Sequence, residues 1–268
     1  MPHTGGPLKG YCLPLSPEGR ASLLDPPPWH YGGDVLAIVF EADESEVRKL
    51  LAPPLEPGPN PRLAFAWFVE WTSVSGRRPE LAYVNPERTQ YREFFVAVSC
   101  QYKGAPGFTV PYIWVDNDFT LLRGWFQGFP KKLGRVWITK LHPLNPALGG
   151  VREGVRLTGI CESHGERIAA GTVEVARRAA VDELPKPKFY LIRHFPNIED
   201  PARPSVHELV ESVVKDVRFG DVWGGPASLT INESELEEVD RLRPVRVLGG
   251  YYFSVGFTIE GGRVLHKY

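Results

Sequence analysis

Short apolar runs separated by turn-forming residues dominate the pattern of this chain. A continuous apolar run bounded by glycines predicts a buried strand at 35–40. Two further strands are predicted at 63–71 and 94–102, with a polar loop at 75–88 between them. Later strands recur at short intervals, at 135–140, 154–161, 167–177, 189–194, 212–220, 227–231, 245–255 and 264–267. This spacing is typical of an antiparallel barrel or sandwich.

Only two segments have a helical pattern. Asp43 and Glu46 have the spacing of a capping box, and the apolar residues that follow fall on one helical face, so a short helix is predicted at 44–52. A second helix is predicted at 119–126, with its cap at Asp118. The chain contains 27 Gly and 26 Pro, which argues against long helices.

The first thirty residues are too rich in Gly and Pro for regular secondary structure. We therefore expect an N-terminal segment, 1–34, that wraps over the surface or over a neighbouring subunit. The remaining residues, 35–268, contain no internal repeat, low-complexity tract or linker, and they are predicted to form one domain.

Composition excludes several classes of partner. Lys and Arg number 31 and Asp and Glu number 32, so a net charge of -1 gives no general attraction to nucleic acid or to an anionic membrane. A small-molecule partner is expected instead. Three widely spaced cysteines fit a reducing compartment, and the sequence shows neither a membrane span nor a signal peptide pattern. We therefore expect a soluble protein of the cytoplasm.

Candidate metal motifs in the sequence are incomplete. Cys161 and His164 have no second ligand pair at a suitable distance along the chain. The Asp116-Asn117-Asp118 sequence lacks the glycine and the distal glutamate of a calcium loop. Neither a metal nor another cofactor is predicted.

Two adjacent lysines, Lys131 and Lys132, are the pair best placed for chemistry. They lie between a Phe-Pro turn and a Leu-Gly turn in an apolar neighbourhood. A lysine is a nucleophile only when neutral, and its ordinary pKa of about 10.4 keeps it protonated near neutral pH. Burial and a neighbouring cation both lower the pKa of an amine. The surroundings of this pair therefore favour an activated lysine over two solvated surface charges.

The segment 128–134, Gly-Phe-Pro-Lys-Lys-Leu-Gly, resembles the active-site segment Tyr-Pro-Lys-Lys-Leu-Gly of the acetoacetate decarboxylase family. Similar motifs follow the family order at 38–56, 188–210 and 223–229, so the resemblance extends from about residue 35 to the C-terminus. It implies a β-rich α+β fold, a single-domain antiparallel β barrel or cone with a few short helices, in a catalytic domain at 35–268. It also implies a homo-oligomer.

The resemblance assigns roles to individual residues. Lys131 takes the role of the lysine that forms a Schiff base with a ketone, and Lys132 that of the second lysine, which lowers the pKa of the first. Glu93 matches a Tyr-x-Glu motif in which the glutamate is an acid/base and electrostatic partner of the lysines. The candidate substrate-binding residues are Gln127, Tyr91, Phe129 and Tyr252. For Gln127 a backbone hydrogen bond at the helix end is the alternative, and for Tyr252 it is core or interface packing.

Two groups of the family pattern are missing. The arginine that precedes the first core strand in the decarboxylases corresponds to Gly33, and a second active-site glutamate corresponds to Trp67. Glu70 is three residues further on, so on a regular strand its side chain points to the opposite face. The family's Gly-Arg-Glu after the helix also reads Arg123-Gly124-Trp125.

The sequence leaves three functions open. The favoured one is a Schiff-base lyase in which pyruvate condenses with an aldehyde and the product is dehydrated. The second is a true decarboxylase that releases CO2 from acetoacetate or another 3-oxo acid. The third is a barrel that binds a small molecule without catalysis, although a binding protein has no need of a desolvated amine.

Overall fold

The computed structural model describes residues 6–185 and 187–268. The strands of this part of the chain, in order, are β1 (Trp29–Glu41), β2 (Glu56–Pro57), β3 (Leu63–Ser75), β4 (Gln90–Tyr102), β5 (Ala105–Val115), β6 (Lys131–Leu133), β7 (Arg135–Ile138), β8 (Arg156–Ser163), β9 (Glu166–Glu174), β10 (Arg177–Arg178), β11 (Tyr190–Phe195), β12 (Val206–Gly225), β13 (Ala227–Ile231) and β14 (Arg246–Lys267). The α-helices are α1 (Glu44–Lys49), α2 (Leu81–Val84) and α3 (Asp118–Gln127), and single 3-10 turns lie at Pro86–Arg88, Val181–Glu183 and Val239–Leu242.

Most strands belong to one large sheet with the order β10-β12-β14-β1-β3-β4-β5-β6, to which β11 adds beside β12 and β2 beside β4. Its pairs are antiparallel except for β5 and β6, which are parallel. Among the described residues the strand path runs from β10 to β6, and strand pairing does not close it into a barrel. A single β-bridge between Phe108 and Phe189 links β5 to the residue before β11. The predicted class, β-rich α+β with a few short helices, is confirmed.

A second sheet, in the order β13-β9-β8-β7, covers one face of the large sheet. Side chains alternate between the two faces of each strand. On β3, Ala64, Ala66 and Phe68 pack into the core between the sheets. Phe65, Trp67, Val69 and Trp71 pack on the opposite face, in a second core that we call the inner cluster. The inner cluster is rich in aromatic rings and contains Phe119 of α3, which brings this helix to the functional site.

Several predicted elements have different bounds in the structure. Strand β1 starts at Trp29 and not at residue 35, and β5 was not predicted, because its Pro and Gly residues weaken the strand pattern. The predicted strands at 212–220 and 245–255 are parts of the much longer β12 and β14. Bulges along the β12–β14 pairing interrupt the alternation on which a sequence prediction depends.

The N-terminal segment is irregular up to Pro28 where the structure describes it, apart from one β-bridge between Lys9 and Ser16. Residues 1–5 of the predicted segment lie outside the described residues. The segment is not merely a surface wrap, since Leu24 is 3% exposed and belongs to the inner cluster. The helices of the described residues are all too short to cross a membrane.

Candidate active site

Helix α3 presents four residues of the candidate site on one face. Its N-cap is Asn117, whose side chain accepts a hydrogen bond from the Phe119 amide, one residue before the predicted cap. Thr120, Arg123, Gly124 and Gln127 follow at spacings of three and four residues, which align on one side of a helix. The helix ends at Gly128, whose φ of 91° is in the left-handed region that favours glycine.

The turn after α3 leads the chain directly into β6, where Lys131 is the first residue. The Trp125 indole nitrogen donates to the Lys131 carbonyl at 2.8 Å, and this contact holds the start of the strand against the helix. Gly124 leaves room for the lysine side chain, because a Cβ at this position would lie 2.3 Å from Cδ of Lys131. The lysine stem therefore lies across the helix backbone.

The amine of Lys131 is buried and has two acceptors. Its Nζ lies 2.7 Å from Oε2 of Glu93 and donates to Oγ1 of Thr120 at 2.9 Å. Lys131 is 7% exposed and Glu93 is 6% exposed. The Trp71 indole nitrogen donates to Oε1 of Glu93 at 3.1 Å, which leaves the other carboxylate oxygen facing the amine.

The pKa of Lys131 is lowered from its ordinary value. Burial is the main cause, because it disfavours the charged amine, and the positive charge of Arg123 lowers the pKa further. Glu93 opposes both effects, since its charge and its hydrogen bond favour the ammonium form. Lysine nucleophilicity at this site therefore depends on the balance among one carboxylate, one guanidinium and the apolar walls.

Arg123 is a buried cation with no hydrogen-bond partner on Nε or Nη2 among the described residues. Its guanidinium carbon lies 4.9 Å from the ring centre of Tyr31, 5.2 Å from that of Phe119 and 5.9 Å from that of Tyr91. The Lys131 amine lies 5.1 Å from the same Tyr91 ring. A guanidinium that is desolvated in this way is a strong site for a carboxylate, which it binds with two parallel hydrogen bonds.

A small cavity adjoins Arg123. It has a volume of about 20 Å³, enough for a single water molecule. Leu23 and Leu24 of the N-terminal segment form part of its wall, together with Trp29 and Ser73, whose buried hydroxyl has no partner among the described residues. A substrate larger than water does not fit this cavity as it stands.

Lys132 does not join this cluster. As the next residue of a strand it points to the opposite face. Its Nζ lies 2.6 Å from Oε2 of Glu237, whose other oxygen accepts from the indole of Trp114 at 3.1 Å and from the hydroxyl of Ser163 at 2.6 Å. Lys132 is not among the groups that shift the pKa of Lys131, and Arg123 is. The predicted electrostatic role of Lys132 is therefore not supported by its position.

Two of the four candidate substrate-binding residues lie close to the amine. The rings of Tyr91 and Phe129 lie 5.1 and 5.9 Å from Nζ of Lys131. Burial raises the pKa of the Tyr91 phenol well above its ordinary value, so the hydroxyl keeps its proton. Gln127 donates to the Arg123 carbonyl at 3.4 Å and lines a separate cavity of about 230 Å³ beside Tyr11.

Tyr252 lies outside the inner cluster, and the prediction that it binds substrate is not supported. On β14 its side chain packs into the core between the two sheets, near Asp34. Burial, followed by the charge of Asp34, raises its pKa to about 12. The neighbouring Tyr251 packs against the inner cluster instead, as the alternation of a strand requires.

The two missing family groups are replaced by tryptophans. A Cβ at Gly33 would lie 2.4 Å from the Trp71 ring, so this indole fills the space beside the glycine. Trp67 is buried in the inner cluster, where the resemblance expects a carboxylate. Glu70 points to the opposite face, as predicted, where its carboxylate lies 3.0 Å from Arg92 and 2.8 Å from Lys140.

Arg123, Thr120 and Trp71 are the residues of the cluster that the sequence interpretation did not assign. Arg123 was noted only as a departure from the family motif. The spacing from Thr120 to Gln127 along one helix face was the available signal, but it becomes informative only when Lys131 is known to lie across this helix.

A model of the acetoacetate decarboxylase family matches residues 12–268. Acetoacetate decarboxylase 2 of Mesorhizobium japonicum is 27% identical over 242 residues, which cover 88% of this chain and 82% of the relative.

Two solved structures are also similar over almost their whole length. One is the enduracididine biosynthesis enzyme MppR, complexed with the condensation product of pyruvate and imidazole 4-carboxaldehyde. It is 35% identical to this chain with a TM-score of 0.89, and the match covers 99% of both chains. An acetoacetate decarboxylase-like enzyme from Sphingomonas wittichii RW1 is 30% identical with a TM-score of 0.91, and the match covers 97% of this chain and 100% of that one.

Proposed function

Since the chain belongs to the acetoacetate decarboxylase family of enzymes, we propose that it is a Schiff-base aldolase-dehydratase that condenses pyruvate with an aldehyde. One observation carries the proposal: the buried amine of Lys131 and the unpartnered guanidinium of Arg123 lie against the same Tyr91 ring. A small oxo acid carries a carbonyl for the first group and a carboxylate for the second. The condensation product of pyruvate and imidazole 4-carboxaldehyde, with which MppR is complexed, supports the same class of substrate.

The reaction begins at the amine. Neutral Lys131 attacks C2 of pyruvate, and loss of water gives an iminium. Glu93 then takes a proton from the methyl carbon, and the electron pair of that C–H bond forms the enamine. The hydrogen bond from the Trp71 indole holds the Glu93 carboxylate in place for this step.

Carbon-carbon bond formation follows. The enamine carbon attacks the aldehyde carbon, and the aldehyde oxygen takes up the proton that Glu93 removed and becomes a hydroxyl group. The carbon that attacked then loses its second proton and the hydroxyl leaves with a proton as water, which gives an unsaturated iminium. Hydrolysis then frees Lys131 and an unsaturated 2-oxo acid, so that pyruvate and the aldehyde yield this acid and one water.

Decarboxylation of a 3-oxo acid is the rival reaction. It releases the carboxylate as CO2. Two groups of the decarboxylase pattern are absent from this chain, at Gly33 and Trp67, and their loss favours condensation. The names of the family relatives keep the decarboxylase as the alternative to be tested.

Borohydride trapping tests the proposal. The protein is incubated with pyruvate or with acetoacetate, reduced, and examined by intact and peptide mass. We expect a pyruvate adduct on Lys131, no adduct in Lys131→Arg, and a conjugated product without CO2 when imidazole 4-carboxaldehyde is added. Release of CO2 from acetoacetate without condensation would support the decarboxylase, and the lack of any adduct would leave a binding protein.

A further inference from the structure

We infer that Thr120 is a positioning residue that aims the lone pair of the Lys131 amine at the substrate carbonyl. The inference deepens the proposed function, since an aimed amine matters only if Lys131 is a nucleophile. It rests on the contact between the two side chains, in which Nζ of Lys131 donates to Oγ1 of Thr120 at 2.9 Å.

The geometry of an amine explains the role. An ammonium group has three N–H bonds. One of them here donates to Thr120, and the Glu93 carboxylate lies 2.7 Å from the nitrogen as its ion-pair partner. When the third proton leaves, the lone pair appears in the direction that neither acceptor occupies. The hydrogen bond to Thr120 and the ion pair with Glu93 thus fix the direction of attack before a substrate arrives.

Thr120 is itself held in one orientation. It is completely buried on α3, where its Oγ1 accepts a hydrogen bond from Nζ of Lys131. A β-branched side chain on a helix has few rotamers, so the oxygen stays beside the amine. With Glu93 as the only partner, the lone pair of the neutral amine can take either of two remaining positions, and a second fixed acceptor selects one of them.

Loss of the hydroxyl has two expected effects. An acceptor stabilises the ammonium form, so Thr120→Val lowers the pKa of Lys131, and the pH midpoint of its reaction moves down. The maximal rate of pyruvate trapping falls by about tenfold, the equivalent of one lost hydrogen bond. Thr120→Ser keeps the oxygen and restores most of the rate and the pH midpoint. A role in packing alone predicts a lower melting temperature with an unchanged midpoint and no rescue by serine.

The experiment measures two reactions of Lys131 across pH, borohydride trapping with pyruvate and carbamoylation by cyanate, both by peptide mass. Cyanate reacts with any neutral amine, so this arm tests the inference without an oxo acid. Thr109→Val, which removes a buried hydroxyl on β5, is the matched control and should resemble the wild type. Equal midpoints and rates in Thr120→Val and the wild type would overturn the inference. A shifted cyanate profile in a protein that traps neither oxo acid would overturn the proposed function alone.

Discussion

Lys131 and Lys132 are neighbours in sequence, but their amines form ion pairs on opposite faces of β6, with Glu93 at 2.7 Å and with Glu237 at 2.6 Å. Adjacent residues of a strand point to opposite faces, so the amine of Lys131 lies beside the inner cluster. The amine of Lys132 binds Glu237 on the other face of the strand. The buried carboxylate of Glu237 also binds Trp114 of β5, so it joins the edge strand to its neighbour.

Lys132 is expected to act as an anchor and not as an electrostatic partner. Replacing it with Met should lower the melting temperature, because Glu237 loses its cation while it stays buried. The pH midpoint of pyruvate trapping should stay where it is in the wild type. Lys132→Arg, which keeps the charge, is the control for stability. A shift of the Lys132→Met midpoint to higher pH would restore the electrostatic role.

Arg123 should control both substrate affinity and the pH dependence of Lys131. Arg123→Met removes the carboxylate partner, and kcat/KM for pyruvate should fall by about 10- to 100-fold, the range for a hydrogen bond to a charged group. It also removes a cation that lowers the pKa of Lys131, so the trapping midpoint should rise. Arg123→Lys keeps the charge without the paired donors. Arg123→Lys should keep the pH midpoint of trapping and bind pyruvate more weakly. Absence of any trapping in this variant would indicate that it is misfolded.

Glu93 should affect the pH profile in the opposite direction. Its charge raises the pKa of Lys131, so Glu93→Gln should move the trapping midpoint to lower pH. Loss of the base should also slow exchange of the pyruvate methyl protons in D2O by at least about 100-fold, as NMR can measure. Glu70→Gln, on the opposite face of the sheet, is the control. Normal methyl exchange in Glu93→Gln would assign the proton transfer to another group.

Replacing Gly124 with alanine should reduce activity without reducing the stability of the fold. Alanine in a helix interior is usually more stable than glycine, by about 0.5–1 kcal/mol. Here the added Cβ would meet the Lys131 stem at 2.3 Å and force the amine away from its acceptors. Gly124→Ala should therefore remain folded by circular dichroism and lose most of its trapping rate. Full activity in this variant would mean that the lysine stem takes another path.

The sequence predicted the lysine that lies in the cluster and the carboxylate beside it, because local motifs carry both. It did not predict that Lys132 faces away, since β6 is only three residues long and has no alternation to read. The role of Arg123 was not predicted, for a different reason. A buried arginine is recognised by the aromatic rings that surround it, and these come from β1, β4 and α3, which are distant in sequence.

Leu23 and Leu24 form a wall beside Arg123, so the N-terminal segment shields this side of the site. Nη2 of Arg88 donates to the carbonyls of Ser22 and Leu23 at 3.0 and 2.9 Å, so this arginine helps to hold the stretch in place. An enamine that meets bulk water is protonated and wasted. By covering Arg123, Leu23 and Leu24 keep bulk water from this side of the site, so the N-terminal segment would protect an enamine until an aldehyde arrives.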